Sequence, residues 1–393
     1  MTREVVIGID FGTSCTSAGA LIDGRVELLQ DAGDPVVPSV VYYPDRGAPE
    51  VGRTAALRQL TDPSRVIRSI KRVIGVPADS PAVRRFAASS GFRVDTASGG
   101  VMLKLRSGDC PPEQVAAAVL GRIREIAERS YGGQVRKAVI TMSAEPPPHY
   151  REALLRAARI AHLDVLDVVS EPIAGGLAIG LHGAPADRKV LVCDFGGGTF
   201  DVSAIVQAGM KFTPVATCAD PYLGGDDLDE ALAEGIAGTI FRQRGYDMHR
   251  DITRWNQLVY RCEHAKRQLS TQETARVAMR EAYVHGGATH DLDVTLDRPW
   301  VWGKWAPLME RAEAVIRETI KRAGWSAMAI DMAALIGGTS LVPRVQHMVG
   351  AIVGSDRVRV SPHADVAVAL GATLLTARYG ATPGARLPVL DAA

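Results

Sequence analysis

The chain opens with short apolar or alternating runs cut by Gly, Asp and Pro turns, at residues 5–9, 16–21, 25–29 and 39–43, the pattern of an antiparallel sheet. Helical spacing then takes over. Pro112, Glu113 and Gln114 start a segment reaching Arg129 that places Val115, Ala118, Val119, Ile123 and Ile126 on one face, and residues 137–142 form a buried strand after it. Residues 150–162 read as helix, 165–169 as strand and 171–181 as helix, up to a short crossover loop at 182–186. Beyond it the opening pattern returns. Hairpin strands are expected within 189–205 and at 212–218, helices at 226–242 and 255–269, strands at 275–282 and 291–296, and a long helix at 304–323. A buried strand at 333–336 and helices at 342–353 and 366–379 complete the chain, and 381–393 has the turn composition of a linker. The organisation predicted is two α/β lobes: residues 1–186, with a C-terminal helix at 364–380 packed back on them, and residues 187–363.

The repetition includes chemistry. Val6-Ile7-Gly8-Ile9-Asp10-Phe11-Gly12-Thr13-Ser14 and Leu191-Val192-Cys193-Asp194-Phe195-Gly196-Gly197-Gly198-Thr199-Phe200-Asp201 each carry a strand into an aspartate and a glycine-containing turn rich in hydroxyls. Glycine lets backbone N–H groups crowd round an anion without a Cβ in the way. Carboxylates beside such a nest repel bare phosphate unless a divalent cation lies between, so the pair points to Mg²⁺ with a triphosphate. The plain alternative is an aspartate that caps its own turn.

Composition narrows the partners. The 393 residues are 47% hydrophobic and 23% charged, an ordinary globular balance with room for more than one domain. The 45 basic and 44 acidic residues are dispersed and leave a net charge of +1, so no field is available to hold a polyanion, and nucleic acid is not an expected partner. No run of about eighteen apolar residues is unbroken by charge, so no membrane contact is expected either. Cys15, Cys110, Cys193, Cys218 and Cys262 are odd in number and scattered, which fits a reducing compartment, and a cytoplasmic location is expected.

With these segments placed, the chain resembles the ATPase domain of the 70-kilodalton heat-shock chaperones, the DnaK type, over nearly its full length. Asp10 to Ser14 is similar to that family's first phosphate loop, Ile70-Lys71-Arg72-Val73-Ile74-Gly75 to its catalytic-lysine segment, and Ala138-Val139-Ile140-Thr141 with Ser170-Glu171-Pro172-Ile173-Ala174 to its central pair. Asp194 to Asp201 is similar to the second phosphate loop, Cys262-Glu263-His264-Ala265-Lys266-Arg267-Gln268-Leu269-Ser270 to the adenosine helix, and Gly337-Gly338-Thr339-Ser340 to the loop under the adenine. One Gly-rich loop is weak evidence, whereas six motifs in order are strong.

The resemblance implies an actin-like, ribonuclease H-like α/β fold of two lobes around a central nucleotide cleft. It implies ATP and ADP with Mg²⁺ as cofactors, and hydrolysis to ADP and phosphate driving a lobe-closure switch. By the same resemblance Lys71, Glu171, Asp194, Thr199 and Asp201 are catalytic, and Asp10, Glu171 and Asp194 surround the metal, largely through water. Gly12, Thr13, Ser14, Gly196, Gly197, Gly198 and Thr199 hold phosphates, while Glu263, Lys266, Arg267 and Ser270 contact ribose and base. Gly224, Gly225, Gly337, Gly338, Thr339, Leu341 and Asp365 complete the nucleotide contacts. A nucleotide-exchange factor or a client protein is the implied macromolecular partner.

The chain also departs from the family. Leu341 stands where an arginine stacks on the adenine, which removes a cation–π contribution. Ser143 replaces a switch proline whose arginine partner is kept as Arg151, and Asp167 reverses the charge presented to J-domain co-chaperones, weakening such docking. No peptide-binding β-sandwich is expected within the residues after Tyr379, and Leu387-Pro388-Val389-Leu390-Asp391 is similar to the family's apolar linker, which leaves open a fragment of a longer protein or a stand-alone ATPase. The readings that compete are a stand-alone nucleotide-dependent regulator or scaffold with vestigial hydrolysis, an actin- or MreB-like filament subunit and, less favoured, a sugar kinase.

Overall fold

In the first half β1 (Val6–Phe11) pairs antiparallel with β2 (Cys15–Ile22), and β2 with β3 (Arg25–Leu28). On its other side β1 pairs parallel with β4 (Lys137–Met142), and β4 with β5 (Asp164–Ser170). The computed structural model describes residues 5–97, 99–179, 187–208 and 211–379; the expected crossover at 182–186 and tail at 381–393 lie outside the described residues. Helices α1 (Pro112–Tyr131) and α2 (Tyr150–Ile160) bury one face of this sheet, where Ile7 and Ile9 share one hydrophobic core with Ile123, Ala153 and Leu154. Both faces of β1 are covered, which is why it reads as an unbroken apolar run rather than an alternating one. Helix α3 (Glu171–Ala178) follows β5 directly.

The second half repeats the plan. β6 (Arg188–Phe195), β7 (Phe200–Ala208) and β8 (Lys211–Asp220) form an antiparallel meander, after which come α4 (Gly225–Arg244) and α5 (Ile252–Leu269). A separate hairpin of β9 (Thr274–His285) and β10 (Ala288–Asp297) precedes α6 (Arg298–Arg322). β11 (Met332–Ile336) then pairs parallel with β6, α7 (Pro343–Val353) follows, and β12 (Val358–Val360) pairs parallel with β11. Both sheets therefore share one spatial order, third, second, first, fourth, fifth, with antiparallel pairs on one side of the first strand and parallel pairs on the other. The turn after each first strand emerges at the corresponding place in its half.

The last helix, α8 (Ala367–Leu375), lies on β1, β2 and α3 of the first half. Gly8 permits this, since a Cβ there would sit 2.3 Å from the backbone nitrogen of Thr373.

Two expectations need correcting. The strand expected at 39–43 shortens to Val41–Tyr42, after a separate strand Val37–Pro38, because the Ser39 backbone N–H is taken by the Ser14 carbonyl (2.8 Å) and its hydroxyl donates to the Gly12 carbonyl (2.9 Å). Helix α6 begins at Arg298 rather than 304, since the Asp297 side chain accepts the Trp300 N–H (2.8 Å) and caps it. That places Trp300, Trp302 and Trp305 within the helix, with Trp305 buried and its indole N–H donating to the Leu228 carbonyl at 3.0 Å. Lys71 stands on a short 3₁₀ turn, Ile70–Arg72. Among the described residues no helix is long and apolar enough to cross a membrane.

Candidate functional site

The two glycine turns meet. Gly197 lies against Ser14 so closely that a Cβ on it would fall 1.9 Å from the Ser14 hydroxyl and 2.5 Å from its Cβ, and Gly198 is similarly placed against Thr13. Gly337, at φ 80°, brings the turn Gly338–Leu341 onto the end of β6, where a Cβ would lie 2.6 Å from Asp194 Oδ1. Thr339 Oγ1 donates to the Gly196 carbonyl (2.8 Å), and Asp365 stands beside Gly338. Gly224 caps α4 against the same turn, with Gly225 the first residue of that helix. The glycines expected round a phosphate are thus brought together, with Gly12 on the facing loop.

Behind these turns lies a charge cluster. The Lys71 ammonium donates to Glu171 Oε1 at 2.6 Å, and both side chains are under 10% exposed. Thr141 Oγ1 donates to Asp10 Oδ1 (3.2 Å), and the Ser143 hydroxyl donates to Asp201 Oδ1 (2.5 Å), a bond between the halves. Burial and the Glu171 charge push the Asp10 carboxyl up to about 7, against the pull of Lys71 and Thr141. Burial with Glu171 lifts Asp201 to about 6, and burial with Glu171, Asp201 and Asp10 holds Asp194 well above the ordinary carboxylate range. Burial works against the charged form of Lys71, but Glu171, Tyr150 and Asp10 outweigh it and keep the lysine protonated.

Asp10, Glu171, Asp194 and Asp201 thus share one neighbouring ammonium, and Asp201 Oδ2 is buried with no hydrogen-bond partner. A site short of positive charge with an orphaned carboxylate oxygen fits a cation. Among the described residues no group of three His, Cys, Asp or Glu is placed to enclose a metal. Water and phosphate oxygens therefore have to complete any coordination shell.

These shifts predict an unusual pH response. A carboxyl whose folded pKa is raised binds more protons folded than unfolded between about 4 and 7, so its contribution to stability falls as pH rises through that window. The ligand-free protein is expected to melt lower at pH 8 than at pH 6, and Mg²⁺ with ADP is expected to flatten the slope. Calorimetry with and without Mg·ADP checks this; a ligand-free profile that rises with pH would contradict it.

On the second half, Lys266 is buried and donates to Asp229 Oδ2 (2.7 Å) and the Gly225 carbonyl (2.8 Å), tying α5 to the start of α4. An ammonium has three donors, so one remains for a ligand. Glu263 pairs with Arg267 at 2.7 Å, one turn on, and Ser270 Oγ donates to the Lys266 carbonyl at 3.4 Å. Leu341 is partly buried at the end of the adjoining turn.

Several site residues escape a reading of sequence alone. The Ser14 hydroxyl donates to Asp226 Oδ1 and the Ser69 hydroxyl to Asp226 Oδ2, both at 2.7 Å. Arg72 donates to Asp227 Oδ2 (2.6 Å) and the Gly198 carbonyl (3.0 Å), again across the halves. Asp226 and Asp227 look like ordinary acids in a first helical turn, and partners over 150 positions away carry no local signal. Only the adjacency of Arg72 to Lys71 could have drawn notice to it.

A family model described as Hsp70 protein matches residues 6–385, nearly the whole chain. The chain belongs to the Hsp70 family and has its actin-like ATPase fold, an ATPase domain of the chaperone type that binds ATP and ADP.

Proposed function

We propose that this Hsp70-family chain hydrolyses Mg²⁺-bound ATP between its two sheets, and that the γ-phosphate governs how closely the lobes 1–186 (with 364–380) and 187–363 approach. The observation that carries this reading is the contact of the two glycine turns, with Thr13 and Thr199 from them lining one cavity with Lys71 and Asp201 of the charge cluster. When bound, Mg²⁺ supplies charge neutralisation to the phosphate oxygens and to Asp10, Glu171 and Asp194. Backbone N–H groups and hydroxyls of Gly12, Thr13 and Ser14 and of Gly196 to Thr199 hold the phosphates from opposite sides. Lys71 sets a fixed positive charge where the leaving and entering oxygens gather charge, and Asp201 with Thr199 orients the attacking water. Glu263, Lys266, Arg267 and Ser270 face the nucleoside, with Leu341 and Asp365 beside the base.

Because both turns must touch one anion, loss of the γ-phosphate loosens the cross-lobe bonds of Ser14, Ser69 and Arg72. Asp167 accepts a bond from the Tyr379 hydroxyl (2.9 Å), so the position that carries arginine in the resemblance presents an engaged carboxylate, unsuited to an acidic J-domain motif. The free state of all five cysteines supports a cytoplasmic setting. Single-turnover release of phosphate from ATP tests the proposal. Release should require Mg²⁺ and fall about tenfold or more in Thr199→Ala; equal release with EDTA, or from the variant, overturns it and favours a regulator with vestigial turnover.

A further inference from the structure

Tyr150 opens α2 after the run Pro146-Pro147-Pro148, with its N–H held by the Pro147 carbonyl at 3.0 Å. The loop after Lys71 pins it from the other side, since a Cβ on Gly75 would lie 2.7 Å from the Tyr150 Cα. The side chain is 2% exposed, and its hydroxyl finds no hydrogen-bond partner in the protein. Desolvating a phenol O–H without a partner is unfavourable, so such a group in a well-packed site calls for an explanation.

A cavity of about 330 Å³ supplies one. Tyr150 lines it from the first half and Asp201 from the second, together with Thr13, Lys71 and Thr199. Asp201 Oδ2 and Arg72 Nε are also buried without a partner here, and of these only the carboxylate oxygen can accept. It and the phenol are complementary: a carboxylate oxygen only accepts, while the phenol, kept protonated by burial, donates. The volume admits water, and Thr13, Lys71, Tyr150, Thr199 and Asp201 offer it polar partners within an otherwise largely apolar wall.

We propose that Tyr150 is a further catalytic residue for ATP hydrolysis, its hydroxyl and Asp201 Oδ2 together holding the attacking water. The inference rests on the ATPase reading above. The water donates one O–H to Asp201 Oδ2 and accepts the Tyr150 O–H on one lone pair, leaving the other lone pair free. That pair forms the bond to the γ-phosphorus as the bond to the β,γ-bridging oxygen breaks, and the electrons of the broken bond leave with ADP. The water proton passes by way of Asp201 to the released phosphate. Water, ATP, ADP and phosphate balance with no further reactant.

Tyr150→Phe removes one oxygen and keeps the ring. In the full chain, single-turnover phosphate release should fall about tenfold or more, with the affinity for Mg·ADP within twofold of wild type. The ligand-free melting temperature should not fall, because the hydroxyl bonds nothing in the protein. In the double variant with Asp201→Asn, loss of the phenol should add less than twofold, since both groups serve one water. A release rate within twofold of wild type, fully multiplicative losses in the double variant, or a ligand-free melting temperature lowered by about 3 °C would each overturn the assignment. If wild type hydrolyses ATP and Tyr150→Phe matches it, the phenol assignment alone fails. If wild type releases no phosphate at all, the ATPase reading fails with it.

Discussion

Lys71→Ala is expected to slow single-turnover phosphate release by about 10²–10³-fold and to lower the melting temperature of the ligand-free protein. The ammonium stands 2.6 Å from Glu171, and both are almost fully buried. Removing one partner of such a pair strands a charge at a cost of about 3–5 kcal/mol. Here the stranded carboxylate also faces Asp10, Asp194 and Asp201. Lys71→Ala combined with Glu171→Gln should recover most of the melting temperature and none of the activity. Calorimetry and single-turnover assays on the two variants separate the roles: stability lost with phosphate release unchanged would make Lys71 a counterion and nothing more.

Gly197→Ala should weaken Mg·ATP binding by about 10–100-fold, roughly 1.4–2.7 kcal/mol. The added methyl would fall 1.9 Å from the Ser14 hydroxyl and 2.5 Å from its Cβ. Rotating Ser14 away does not make room, because its Cβ is in the way too and its hydroxyl is already bonded to Asp226. The two turns must separate, and neither can then reach the same phosphate. Gly133→Ala, at a site with open space round it, provides the control and should bind like wild type. Titration with a fluorescent ATP analogue measures the difference; equal affinities would show that the turns do not share a ligand.

What could be read without coordinates was local. Asp10 and Asp194 each follow an apolar strand and precede glycine within a few positions, so both strand–turn–strand units are visible as short patterns. Helix α1 announces itself by period, and β4 matches its expected limits at 137–142. Lys71 could not be found this way, since its burial is made by Glu171, 100 positions on, and its own segment reads as exposed and basic. Resemblance to a family located it; spacing did not. Tyr150 had neither signal, because it heads an amphipathic helix whose first turn looks like any other. The bonds from Ser14 and Ser69 to Asp226 depend on how two separately formed sheets face each other, which no local pattern encodes.

The seating of α8 on β1 carries a consequence for biogenesis. The covering for one face of the N-terminal sheet is encoded at residues 367–375, and glycine at positions 8 and 371 leaves no slack for a substitute, a Cβ on Gly371 falling 1.7 Å from the Ala174 carbonyl. Ribosomal synthesis therefore delivers the first strands long before their lid, and that sheet stays open on one side until residues 367–375 have been made. The first half is therefore not a self-sufficient folding unit, and its maturation waits on a helix encoded more than 350 positions after β1.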